Sequence, residues 1–251
     1  QMWNDDPIFS PGGALNGQGN PTFRMTAYLP YDAAHPYRLT DGWQAPFDCF
    51  QPTIAARCDK VLMWDRPGAK ARRGHKIQSG DWRPFDHLKS VHDDVRSGIF
   101  IGFSFLDRSD ALEGNGRGPC SFRFFVGSAI RVEACISLED YRTDRLDVDR
   151  MVSALQALPY VSFLAGYGLS LGSHFDARDP VNTYTQLMTY ARRHLSVDVA
   201  RDEDRAFFPG APTDFPRIGI AGINWLTGIG EPFRSAAIQA GIFSRPLPRE
   251  I

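Results

Sequence analysis

Between residues 98 and 137 the chain sets down three strand patterns in succession, and this stretch limits the fold more than any other. Gly98–Leu106 (GIFIGFSFL) is aromatic and β-branched, a composition that suits a pleated, packed surface. Residues 107–119 (DRSDALEGNGRGP) are turn-forming, and Cys120–Val126 (CSFRFFV) returns as a second strand. Ala129–Ser137 (AIRVEACIS) alternates as a third. Connections this short and Gly-rich predict an antiparallel meander rather than parallel crossovers.

The surrounding segments add further elements. Thr22–Leu29 alternates Phe23, Met25, Ala27 and Leu29 against Arg24, Thr26 and Tyr28, a strand pattern. Residues 30–59 hold Pro30, Pro36, Pro46 and Pro52 and read as mostly loop with short elements. Val61–Trp64 reads as a short strand. A helix is expected from Asp81, with Asp81 as N-cap, Pro84 in its first turn and Phe85, Leu88 and Val91 on one side. Val148–Leu158 places Val148, Met151, Val152, Leu155 and Leu158 on one helical face, and Pro159 stops it. Tyr160–Leu171 is a strand containing Gly166 and Gly168. Asn182–Leu195 reads as a second helix, 196–217 as a polar link, Ile218–Leu226 as a last strand ahead of a Gly228–Gly230 turn, and Arg234–Ala240 as a short helix.

Strands and helices mix without strict βαβ alternation. That predicts an α+β fold: antiparallel sheet packed with a few helices, compact. The expected organisation is an irregular N-terminal arm over 1–21, a single domain over 22–245, and a loose tail over 246–251. Two subdomains meeting near 138–147 are compatible with the same pattern.

The chain is 251 residues long, 43% hydrophobic and 12% aromatic, enough apolar content to fill a core and unlike a disordered segment. Its formal charge is -1. This argues against a nucleic-acid binder, which needs a basic face to replace counterions, and against wholesale mimicry of DNA. The densest basic stretch, Lys70–Lys76 (KARRGHK), reads as a solvated loop. No run of 18 or more apolar residues occurs, so no membrane span is expected. The N-terminal residues carry no signal-peptide pattern, and the expected location is the cytoplasm.

Cys49, Cys58, Cys120 and Cys135 match no zinc spacing. They read as reduced, buried side chains, with a Cys49–Cys58 or Cys120–Cys135 bridge left open by the spacing.

Catalytic signatures are missing from the sequence. There is no G-x-S-x-G elbow, Walker loop, H-E-x-x-H or EF-hand loop. Gly114–Gly118 lies between two strands, so a hairpin explains it better than a phosphate cradle. His87 and His92 are five apart, which puts them on different helix faces. His174 and Asp176 would share a strand face but lack a third ligand nearby. They are the natural candidates for the alternative reading, a hydrolase with a dispersed active site. No metal or other cofactor is expected.

Charge clusters offer more. Glu139, Asp140, Asp144, Asp147 and Asp149 mix with Arg142, Arg145 and Arg150; Asp198, Asp202, Glu203 and Asp204 mix with Arg201 and Arg205. Solvated ion pairs account for such surfaces, and docking of a basic partner is the functional alternative.

One set of residues resembles a known family. Leu158-Pro159, Gly166-Tyr167-Gly168-Leu169, Leu195-Ser196-Val197-Asp198-Val199, and Gly222-Ile223-Asn224-Trp225-Leu226-Thr227 with Gly230 downstream are similar to the TsiV-like immunity proteins of type VI secretion effectors. The resemblance covers residues 95–245; residues 1–94 match loosely, and Ala200–Asp204 departs from the family pattern. It implies a non-enzymatic antitoxin that protects the producing cell by binding a cognate effector toxin, a nuclease, and blocking its active site or assembly. It implies no catalytic residues. Gly166, Gly168, Asn224, Trp225 and Leu226 would be structural, Trp225 and Leu226 as core anchors. Contact residues should differ between family members, so the motif cannot locate them. The acidic set Asp198, Asp202, Glu203 and Asp204 is the candidate partner surface. The toxin's identity and the oligomeric state stay open.

Overall fold

In a computed structural model of the chain, the described strands form one nine-stranded sheet of order β3-β2-β4-β5-β6-β1-β7-β8, with β9 also paired to β7. The structure describes residues 19–29, 42–64, 75–86, 101–108, 120–126, 130–143, 145–171, 198–199, 226–231 and 233–241. The strands are β1 (Gly19–Leu29), β2 (Cys58–Trp64), β3 (His75–Lys76), β4 (Ile101–Asp107), β5 (Ser121–Val126), β6 (Ile130–Ser137), β7 (Ser162–Leu171), β8 (Asp198–Val199) and β9 (Leu226–Ile229). The helices are α1 (Gln44–Arg57), α2 (Leu138–Arg142), α3 (Val148–Gln156) and α4 (Phe233–Gln239). The class is α+β. The meander β4-β5-β6 is antiparallel throughout, as the short connections require. Among the described residues, one pairing is parallel, that of β7 with β8.

Register explains the core. Val61, Phe105, Phe122, Ala134, Met25, Ala165 and Leu226 are cross-strand partners in one row over seven strands. Phe103, Phe124, Val132, Ala27, Phe163 and Gly228 form the next row on the same face. Because side chains alternate along a strand, these rows present one apolar surface. Phe47, Phe50 and Ile54 of α1 and Met151 and Leu155 of α3 join it in a single buried cluster. Phe122 meets Phe47 edge-on at 5.0 Å, and Phe85 meets Phe103 edge-on at 5.1 Å, geometries that aromatic rings favour.

Helix α3 follows the sequence pattern: Met151 and Leu155 are buried, and Val148, Val152 and Leu158 pack against the core from its margin. Asp147 caps it, its carboxylate accepting from the Arg150 N–H at 2.9 Å.

Several expectations need correction. The loop expected over 30–59 contains the fourteen-residue helix α1. Pro46 stands in its first turn, where no N–H is required; Pro52 lies inside it and forfeits one backbone bond. Burial of Phe47, Phe50 and Ile54 against the sheet outweighs that loss. Asp81 does not cap a helix. It belongs to the 3-10 turn Ser79–Trp82, where its carboxylate accepts the Gln78 N–H at 2.8 Å. The basic stretch ends in edge strand β3, with His75 opposite Val61 and Lys76 opposite Lys60. The polar link 196–217 contains β8. The Gly228–Gly230 turn is displaced, since β9 runs through Gly228 to Ile229. Gly228 faces Phe163 across the pair, and a Cβ there would run into that ring; only glycine lets the aromatic side chain lie on the backbone. A helix does open at Pro84, over the described residues 84–86, with the proline in its first turn as expected; its continuation through Leu88 and Val91, the expected helix Asn182–Leu195 and the strand before Leu226 lie outside the described residues. All four cysteines are buried and free.

Candidate interaction surface

Four of the residues that the sequence singled out, Gly166, Gly168, Asp198 and Leu226, lie on β7 or on the strands paired with its outer edge. Strand β9 pairs with Ser162–Ala165 and β8 with Gly168 and Leu169. Between them, at Gly166 and Tyr167, no described strand occupies this edge. Gly168 is the register partner of Asp198, so one motif glycine and one member of the acidic set share a pairing. Gly166 has φ of 154°, a backbone region that side chains disfavour, and sits opposite Arg24. Leu226 pairs with Ala165 and packs on the core margin. Asp202, Glu203, Asp204, Asn224 and Trp225 lie outside the described residues, as do His87, His92, His174 and Asp176.

Tyr167 is an exposed aromatic side chain that sequence reasoning did not single out. It shares the register face of Phe163 and Ala165, which predicts burial. Yet it is 37% exposed, one of two large exposed hydrophobic side chains among the described residues, with Ile238. Its ring meets Tyr141 edge-on at 6.2 Å, and Tyr141 stacks on the buried Phe23 at 4.7 Å. A ladder of rings thus ties the surface tyrosine to the core. A rigid, partly exposed tyrosine suits protein recognition, because little side-chain entropy remains to be lost on binding.

The helix that supplies Tyr141 is pinned by charge. Ser137 accepts the Asp140 N–H at 3.0 Å as N-cap of α2 and donates its hydroxyl to the Asp140 carboxylate at 2.7 Å. Arg57 at the end of α1 and Arg145 each reach that carboxylate at 2.9 Å, where the Asp140 side chain is 2% exposed. Burial pushes the Asp140 carboxyl upward; the bonds from Ser137 and Arg57 and the charges of Arg57 and Arg145 outweigh it and hold the pKa below the usual carboxylate value. Asp140, read from sequence as part of a mixed-charge surface, is therefore a buried staple, while Glu139 and Arg142 of the same helix remain exposed.

Among the described residues no three His, Cys, Asp or Glu side chains gather as metal ligands. The exposed His75–Asp81 pair, 3.0 Å apart, ties β3 to the 3-10 turn. No described helix is long and apolar enough to cross a membrane.

The sequence matches no protein-family model. No match was found among curated proteins. Among solved structures, the fold is similar to that of the Pseudomonas aeruginosa T6SS protein PA0821, with a TM-score of 0.59 and 16% identity, over 88% of this chain and 58% of that one. The chain thus spans less than two thirds of that protein's length, and at this identity the likeness is one of fold.

Proposed function

We propose that this chain is an immunity protein: it binds a cognate type VI secretion toxin, a nuclease, in the cytoplasm and neutralises it by direct contact that covers the active site or blocks assembly. The observation that carries the reading is the fold it shares with a T6SS protein, reached independently of the TsiV-like residues at 158–230. Effective protection needs nanomolar affinity, about 12 kcal/mol, which an interface of ~1,600 Å2 can supply. The contact face is the β7 edge. Tyr167 is the aromatic anchor, and Asp198 with Asp202, Glu203 and Asp204 supplies charge that attracts a basic nuclease surface and fixes register.

The test is co-expression with the product of the adjacent gene. Growth and intact DNA are expected with the wild-type chain. Tyr167→Ala should weaken binding by roughly 30-fold, the ~2 kcal/mol of a typical hot spot. Replacing Asp198, Asp202, Glu203 and Asp204 together by Ala should weaken binding and flatten its salt dependence. Unchanged affinity in both variants rejects the placement of the contact face; failure of the wild-type chain to protect rejects the function.

A further inference from the structure

Two buried thiols meet in the core although they are 62 positions apart in sequence: the Cys58 and Cys120 sulfurs lie 3.9 Å from each other. Cys58 ends α1 and opens β2, and Cys120 stands immediately before β5. Both belong to the core cluster. The Cys58 thiol also approaches the Cys120 carbonyl at 3.8 Å, and the Cys120 thiol points to the Thr53 carbonyl of α1 at 4.0 Å. These contacts hold the two sulfurs in one pocket of the fold.

The other cysteines are placed differently. The Cys49 thiol turns back on the Ala45 carbonyl at 3.3 Å within α1. Cys135 lies across from Ser121 in the β5–β6 register and its thiol contacts the Ser121 hydroxyl at 3.1 Å. That is the sheet face opposite Cys120, by the alternation of the strand. The sheet itself therefore separates Cys120 from Cys135, and neither bridge left open by the spacing is the pair that the fold assembles.

We propose that Cys58 and Cys120 are a latent cross-linking site, joined by a small peroxide oxidant into a disulfide that ties the α1–β2 junction to the start of β5. The chemistry balances with hydrogen peroxide alone. The Cys58 thiol gives up its proton, and the thiolate sulfur attacks one peroxide oxygen. The O–O bond breaks, leaving a sulfenic acid on Cys58 and a hydroxide that takes up the proton as water. The Cys120 sulfur then attacks the Cys58 sulfur. The S–S bond forms, the S–O bond breaks, and the hydroxyl departs with the Cys120 proton as a second water. Two thiols lose two electrons in total and one peroxide is reduced to two waters.

Closing the bond requires the sulfurs to move from contact to about 2.05 Å, a shift within reach of side-chain rotation and small backbone adjustment. The hydrogen bond with Cys58 and burial hold the Cys120 thiol well above its usual pKa, and the thiolate is the reactive form. The site stands independently of the proposed immunity role.

The test treats the native full-length chain with hydrogen peroxide over hours, alkylates remaining thiols in denaturant with iodoacetamide, and maps the peptides by mass. One linked pair, Cys58–Cys120, is expected, two hydrogens lighter than the free thiols and released by dithiothreitol, with Cys49 and Cys135 alkylated. The link should vanish in Cys120→Ser and persist in Cys49→Ser; if Cys120→Ser fails to fold, the wild-type map decides alone. Linkage of any other pair, or recovery of Cys58 and Cys120 as alkylated or sulfinic forms only, overturns the proposal.

Discussion

The two faces of the sheet are built from the same strands, yet they bury opposite chemistry. On one, Phe105, Phe122, Ala134 and Met25 run in a row beneath α1 and α3. On the other, Ser104, Arg123, Glu133 and Thr26 run in an equivalent row, with Arg24, Tyr28 and Arg131 beside them. Both rows are covered: Phe122 is 0% exposed and Arg123 only 7%. Arg131 and Glu133, two residues apart and so on one face, form an ion pair at 3.2 Å within the covered row. Alternation in a strand therefore reports which way a side chain points, and does not report whether the polar side meets water.

The difference gives the two faces different responses to truncation. The largest effect is expected from Phe122→Ala, which removes a ring packed on Phe47, Phe50, Phe85 and Phe103. The loss should be about 3–5 kcal/mol by urea unfolding. A loss under 1 kcal/mol would mean that the apolar row is not the main core.

On the second face, Glu133→Ala should cost about 3 kcal/mol, because it leaves Arg131 buried without this partner. The paired change Arg131→Met with Glu133→Leu should cost much less, since apolar groups of similar volume replace a desolvated pair. Equal costs would show that the two charges are not coupled.

Asp140 supplies an intermediate case: a buried carboxylate whose two guanidinium partners are partly solvated. Asp140→Asn should cost about 2 kcal/mol, less than a fully buried pair because solvent screens the arginines. Its folded pKa is depressed. The stabilisation is therefore fully present above the unfolded carboxylate value, near pH ~4, and is lost as the pH falls through the folded value. The gap between wild type and variant should begin to close below about pH 4 and vanish only once the pH has fallen past the folded value; a constant gap at all pH values would contradict the ionic account.

The smallest effect is expected at Thr26, whose buried hydroxyl has no hydrogen-bond partner among the described residues. Thr26→Val should be neutral or stabilising by up to ~1 kcal/mol. A loss above that would reveal a polar role for the hydroxyl.

What the sequence disclosed follows the same physics. Strands β1, β4, β5, β6 and β7 were legible because their inward residues are large and regularly spaced, as in Phe103, Phe105, Phe122 and Phe124. Helix α3 was legible because Val148, Met151 and Leu155 recur at helical spacing. Helix α1 was not: Pro46 and Pro52 are local signals against a helix, and only tertiary burial of Phe47, Phe50 and Ile54 overrides them. Strand β9 was hidden because Gly228 looks like a turn residue until Phe163 is placed over it. At the surface, the motif glycines pointed to β7 but could not reveal Tyr167 as exposed, since its strand register is that of the core. Asp198 read as part of a polar link, and its pairing with Gly168 depends on a parallel contact that local sequence does not encode.

The central claim is that this molecule acts by gripping another protein. Calorimetric titration of the full-length chain with the purified product of the adjacent gene measures that grip directly. The account predicts saturable binding at nanomolar concentrations, with loss of the partner's DNA cleavage at the same stoichiometry. Flat heats at micromolar concentrations, with cleavage undiminished, would contradict it.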